Sequence, residues 1–185
     1  MVRFLIAFLF LMGALFGAQL TPWGQDYFVI PWTNGLAHFC AQLVSTFDAN
    51  AEAIGKVLRS NSNGFAVSIE AGCNGVEATI VLLAAVLAFP STWKQKGWGL
   101  LAGFVAIQGL NVVRIISLFY LGQWNRTAFD WAHLHIWPAL IIFDALIVFI
   151  VWLRYISKKS ESATGAPKEP PTAGSDGSAT QAQPA

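Results

Sequence analysis

"EAGCNGVEATIVLLAAVLAFP" (residues 70–90) puts a cysteine on the threshold of an apolar run and a glutamate four residues further in. The rest of the chain says what that run enters. Of 185 residues, 55% are hydrophobic and only 11% charged, against about a quarter charged in a soluble domain. The missing charge points to lipid. So do three other runs, "FLIAFLFLMGALFGAQL" (4–20), "GWGLLAGFVAIQGLNVVRIISLFYL" (97–121) and "PALIIFDALIVFIVWL" (138–153). A membrane span needs roughly 20 mostly apolar residues, about 17 at the short end. The opening run meets this only when it is extended from near Asn74 to near Trp93.

Basic residues fix the direction of the runs. Arg3, then Lys94 and Lys96, then Arg154, Lys158 and Lys159 flank them, and such flanks mark the cytoplasmic side. With all three groups inside, four spans follow: 3–20 outward, 75–92 inward, 98–120 outward and 138–155 inward. Residues 21–74 and 121–137 then lie outside. "MVR" before an apolar core also fits a signal peptide, but no clear small-x-small cleavage site follows, so a retained span is preferred. The segment "PWTNGLAHFCAQLVSTF" (31–47) is apolar enough to touch lipid. A fifth crossing would break the charge pattern, which leaves an interfacial or re-entrant helix. The expected fold class is an all-α, polytopic membrane bundle over residues 1–156. Residues 157–185, rich in Pro, Ala, Gly and Ser, offer no apolar face and read as a disordered cytoplasmic tail. Turn and polar residues in "DANAEAIGKVLRSNSNG" suggest a small cap over the outer face.

Charge inside a bilayer costs about 2.5–3.5 kcal/mol per residue at mid-helix. Glu77, Arg114 and Asp144 accept that cost. At a 1.5 Å rise per residue all three fall roughly 3–9 Å below the outer end of their spans. One cation and two anions at similar depth can neutralise one another in a small polar pocket. Asn111, one turn before Arg114, shares its face and favours a built site. The plainer alternative is that Arg114 snorkels outward while the acids hold helices together.

Cys73, in "GCNG", precedes an inward-running helix with Asn74 as its expected N-cap. The free N–H groups and positive dipole there favour a thiolate, and the same groups suit a carbonyl oxyanion. A cysteine nucleophile needs both. The alternative is a disulfide with Cys40, the other cysteine, in an oxidising compartment. On the same side stands "FDWAHLHIWPAL", with His133 and His135. Histidine suits proton transfer near neutrality, although it also sits idle beside aromatics such as Trp131 and Trp137. His-x-His with a cysteine could alternatively ligate zinc. Cys73, Arg114 and His133 thus reach the outer boundary from three different spans.

"GCNG" at a helix entrance, "NVVRI" in the next span and "HLHIW" before the last resemble the Cys–Arg–His triad of the exosortase/archaeosortase family. The short length, "EAGCNGVEA", the following "AFP" and "NVVRIISLFYLG" are most similar to its compact exosortase H subgroup. The resemblance covers about residues 65–150. It implies a bacterial inner-membrane cysteine transpeptidase or protease, with its site facing the periplasm and both termini cytoplasmic. Its partners would be exported proteins ending in a sorting signal: a short motif, of Ile-Pro-Thr-Leu type for this subgroup, a transmembrane helix and a basic cluster. Cys73 would be the nucleophile, Arg114 the cation at the carbonyl oxygen and His133 the proton-transfer residue, with His135 as the alternative. Asn74, Glu77, Asn111 and Asp144 would support them. The acceptor nucleophile stays open, and no cofactor, metal or nucleic acid is called for. Two readings from other classes compete: a non-catalytic membrane assembly subunit, and a small proton-coupled transporter using the buried charges. Neither needs a thiol at a helix entrance.

Overall fold

The computed structural model describes residues 2–164. In chain order it comprises α1 (Val2–Leu20), the short turn α2 (Pro22–Gly24), a π-helical turn (Gln25–Val29) and α3 (Ile30–Ser45). A small sheet follows, with β1 (Ala51–Ile54), β2 (Val57–Ser60) and β3 (Ala66–Ser68). The chain then forms α4 (Val76–Ala88), α5 (Trp93–Trp124), α6 (Arg126–Trp131), a second π-helical turn (Ala132–Ile136) and α7 (Trp137–Thr164).

Three helical stretches are long and apolar enough to cross a membrane: Val2–Leu20, Trp93–Trp124 and Arg126–Ser157. Their outward faces carry large bare hydrophobics such as Phe10 and Ile142, each at least 70% exposed. In water such a surface would aggregate; in lipid it is solvated. The expected 75–92 span is shorter than the sequence suggests. Its helix runs only over Val76–Ala88, 13 residues, or about 20 Å at 1.5 Å per residue. Pro90 pulls Phe89 out of the helical region (ψ 134°) and ends it there. α4 instead packs against α1, α5 and α7, with Ala84 and Val86 fully buried.

α5 starts at a capping box, in which Thr92 Oγ1 accepts from the Gln95 N–H and the Gln95 side chain from the Thr92 N–H. At 32 residues it is about 48 Å long, beyond a hydrocarbon core of about 30 Å. Its last turns therefore stand clear of α4 and carry the sheet and α6.

At that end α3 packs on β1, β2 and α5. Leu36, Ala37, Cys40 and Val44 form a core with Leu58, Ile69, Ile115 and Phe119. The opposite face of α3 leaves Phe39 and Leu43 exposed, and Phe47 is exposed in the turn just past it, as an interfacial helix would. The cap contains strands, which the all-α expectation did not include. They form an antiparallel meander in order β1-β2-β3, with Ala53 opposite Leu58 and Leu58 opposite Val67. Gly55, at φ 59°, makes the two-residue hairpin turn that such a tight reversal requires. The tail expected from residue 157 lies outside the described residues from 165 on, while α7 itself continues to Thr164.

Candidate active site

The meander delivers the chain to the loop Ile69–Gly75, and almost every residue of that loop is tied down. Ile69 is buried and its N–H donates to Lys56 O. Glu70 pairs with Lys56 at 2.6 Å on the surface, and its carbonyl accepts from the Cys73 N–H at 2.9 Å. Gly72 and Gly75 both take positive φ, 79° and 74°, which L side chains rarely adopt. Asn74, 1% exposed, donates to Thr33 Oγ1 while its own Oδ1 accepts from the Val76 N–H. Trp32 Nε1 donates to the Asn74 carbonyl at 3.1 Å. The N-cap is accordingly Gly75 rather than Asn74. Asn74 closes the first turn from one position earlier because Gly75 bends left-handed between them.

Two charged side chains converge on this loop. Arg114 Nη1 donates to Gly72 O at 3.1 Å, and Nη2 to Cys73 Sγ at 3.2 Å. From the other side the Gly72 N–H donates to Glu77 Oε1 at 2.9 Å, and Gln19 of α1 donates to the same oxygen. The peptide of Gly72 therefore separates the cation from the anion. The expected three-way neutralisation does not occur. Arg114 and Glu77 each bond the loop instead of each other, and Asp144 forms no ion pair among the described residues. Arg114 is only 4% exposed, and its Nε has no partner. A buried guanidinium without a counter-ion is costly, and it is poised for negative charge appearing beside it.

Cys73 is half-buried, and burial, the largest influence, pushes its thiol up. Arg114 pulls the other way, while Glu77 and Glu70 add to the rise. The resting thiolate expected from the helix start is thus outweighed by desolvation. Three backbone donors around the thiol are engaged: Gly72, Cys73 and Val76 each donate to a protein acceptor. Arg114 Nη2 is a side-chain donor aimed at the thiol. Cys40 and Cys73 are both free thiols. Cys40 is fully buried in the α3 core, which pushes it to about 12.

Cys73, Arg114 and His133 line one cavity of about 230 Å³, walled also by Phe65–Glu70, Leu118 and Phe129. His133 stands in the π-helical turn before α7, its ring stacked on Phe129 at 5.6 Å. Its Nδ1 is buried and without a partner. His135 is not part of that wall. It is exposed, lies along Trp131, and its Nδ1 sits 3.3 Å from Trp131 O. Two residues along a helix face different ways, which is why only one of the pair turns inward. Among the described residues no three of His, Cys, Asp or Glu cluster as a metal site would require.

Asn111, fully buried on α5, leaves both amide atoms unpartnered. One turn earlier Gln108 donates to Gly75 O and Thr79 Oγ1. Sequence reading missed Gln108, although its position three before Asn111 and six before Arg114 was a usable signal. It also missed Gln19, Trp32 and Thr33, whose distant contacts leave no local trace.

Compared with known proteins, residues 2–153 match the family model described as transmembrane exosortase (Exosortase_EpsH). No curated protein and no solved structure matches the chain.

Proposed function

The chain belongs to the transmembrane exosortase family, membrane-embedded sorting transpeptidases acting on exported proteins, and we propose that it cleaves a C-terminal sorting signal through a thioester on Cys73. The observation that carries this reading is the Arg114 guanidinium, 3.2 Å from Cys73 Sγ with no counter-ion among the described residues, in a cavity shared with His133.

In the proposed reaction His133 takes the thiol proton as Cys73 Sγ bonds to the scissile carbonyl carbon. The carbonyl electron pair moves onto oxygen, where Arg114 meets the new charge. The carbon–nitrogen bond then breaks and His133 returns the proton to the leaving amine. An acceptor amine, lipid or glycan hydroxyl, or water gives its proton to His133, attacks the thioester and releases Cys73 as a thiol. Glu77 and Asn74 hold the loop, and Asn111 stands behind it. The substrate signal is proposed to be of Ile-Pro-Thr-Leu type followed by a transmembrane helix, after the compact subgroup. Gln19, which ties α1 to Glu77, supports reading the first span as a retained part of the enzyme. The basic flanks support placing the Cys73 end outside a bacterial inner membrane and both termini in the cytoplasm.

The test is to trap an adduct between Cys73 and a C-terminally tagged substrate and identify it by mass spectrometry. Cys73→Ala should insert normally and abolish both adduct and processing. Retained processing would sink the assignment.

A further inference from the structure

The small sheet ends in an open edge, and that edge faces the thiol. β3 lies last in the order β1-β2-β3 and pairs only with β2 among the described residues. Bonded and non-bonded positions alternate along an antiparallel pair. Here the Ser60 N–H donates to Phe65 O at 2.8 Å and the Ile69 N–H to Lys56 O at 3.0 Å. Phe65, Val67 and Ile69 therefore turn their backbone toward β2, while Ala66 and Ser68 turn theirs to the unpaired side. Both residues are exposed, and both line the cavity of about 230 Å³ that holds Cys73, Arg114 and His133. The edge also ends beside the nucleophile. Two residues after Ser68, the Glu70 carbonyl accepts from the Cys73 N–H at 2.9 Å, with Gly72 at φ 79°. That is a tight turn, whose ends lie within about 7 Å of each other. Cys73 stands one turn beyond the strand.

We infer that β3 is the docking strand of the enzyme: the substrate segment upstream of the cleaved bond pairs with the backbone of Ala66 and Ser68, running parallel to β3. The inference rests on the reading of Cys73 as the acyl-transfer nucleophile. A free edge presents N–H donors and carbonyl acceptors at strand spacing, and an extended peptide matches both. A lipid acyl chain matches neither. The direction follows from the course of the two chains. β3 runs from the outer cap toward Cys73, and the proposed signal runs from an exported protein through a short motif into a transmembrane helix. Laid parallel, the motif rests on the cap, its C-terminal end reaches the thiol, and the helix descends into lipid. Laid antiparallel, that helix would start from the cap and point away from the membrane.

The test uses the full-length enzyme in membranes and synthetic tagged peptides that carry the Ile-Pro-Thr-Leu motif and a following apolar helix. Each amide upstream of the cleaved bond is N-methylated in turn. The loss should alternate: about tenfold in kcat/KM where the N–H faces β3, the removal of one hydrogen bond, and little at the position between. The proline has no N–H to give, so its two neighbours should be the sensitive residues. Ala66→Pro and Ser68→Pro each remove an outward N–H, at a place where edge strands tolerate proline. Each should raise KM about tenfold and leave kcat nearly unchanged. Alkylation of Cys73 by a small reagent at the wild-type rate reports that a variant is folded. Should either fail that check, the methylation scan on wild type decides alone. Tolerance of methylation at every position, or sensitivity without alternation, overturns the inference and leaves the Cys73 mechanism standing. So does a wild-type dimer that both proline variants break with unaltered kinetics, since the edge would then belong to a second copy. If wild type forms no Cys73 adduct with any substrate, both readings fall.

Discussion

Arg114 reaches Cys73 from α5 at 3.2 Å, and the same guanidinium holds the Gly72 carbonyl at 3.1 Å. The two contacts use different nitrogens, so the planar fork spans the bend that presents the thiol. Arg114→Lys keeps the charge but cannot make both contacts. Processing should fall about 100- to 1000-fold, the usual loss when an oxyanion donor is removed, with the protein still inserted. Turnover at the wild-type rate would mean that the charge alone suffices and the fork is idle.

The thiol's own ionisation gives a second expectation. Burial raises Cys73 and Arg114 lowers it, so the resting sulfur is protonated at neutral pH. Alkylation by a membrane-impermeant reagent should then climb with pH and show no plateau by about 8.5, the ordinary thiol value. Arg114→Ala removes the larger of the lowering influences, so labelling at pH 8 should slow further. A plateau below pH 7 would contradict the dominance of burial.

The paired histidines separate cleanly in the fold. His133 shares the cavity with Cys73, whereas His135 stacks along Trp131 on the exposed side. His133→Ala should cost processing about 100- to 10,000-fold, the range for losing a general acid–base group, and His135→Ala should cost little. The opposite ranking in a tagged-substrate assay would move the proton-transfer role.

Gly75 is tested by a matched pair of glycines. Gly75 and Gly64 have nearly the same φ, 74° and 72°, so alanine carries a similar backbone penalty at each, about 1–2 kcal/mol. A Cβ at Gly75 would sit 2.7 Å from Gln108 Nε2, while one at Gly64 meets nothing within 4 Å. Gly75→Ala should therefore impair processing well beyond Gly64→Ala. Equal effects would show that Gln108 does not brace the loop.

Much of this was legible in the sequence, and the limits have physical causes. The long apolar runs of α1, α5 and α7 announce themselves because lipid demands about 20 apolar residues whatever the tertiary packing. α4 was overread because its boundaries are set by Gly75 and Pro90, which hydropathy does not weigh. The strands were present as alternation in "AEAIGKVLRS", with Gly55 between, but four-residue strands carry little signal. Cys73, Arg114 and His133 reach one cavity as the charge pattern implied. What the pattern could not supply was the division of labour at Gly72, whose N–H goes to Glu77 and whose carbonyl goes to Arg114. Depth alone suggested that the two charges would meet; the loop threads between them because backbone groups need partners too.

Asp144 supplies the last expectation, because it is the intramembrane charge the mechanism leaves out. It lies on α7, half-buried, away from the walls of the Cys73 cavity and without an ion pair among the described residues. A proton-coupled transporter would depend on such a carboxylate, since a group that cannot ionise cannot relay a proton. An acyl-transfer enzyme built around Cys73 does not. Asp144→Asn should therefore leave processing of a tagged substrate within about twofold of wild type, the span of a substitution that breaks no buried network. Loss of processing in that variant, with Cys73 still open to alkylation, would put Asp144 into the chemistry and reopen the question of what the buried charges are for.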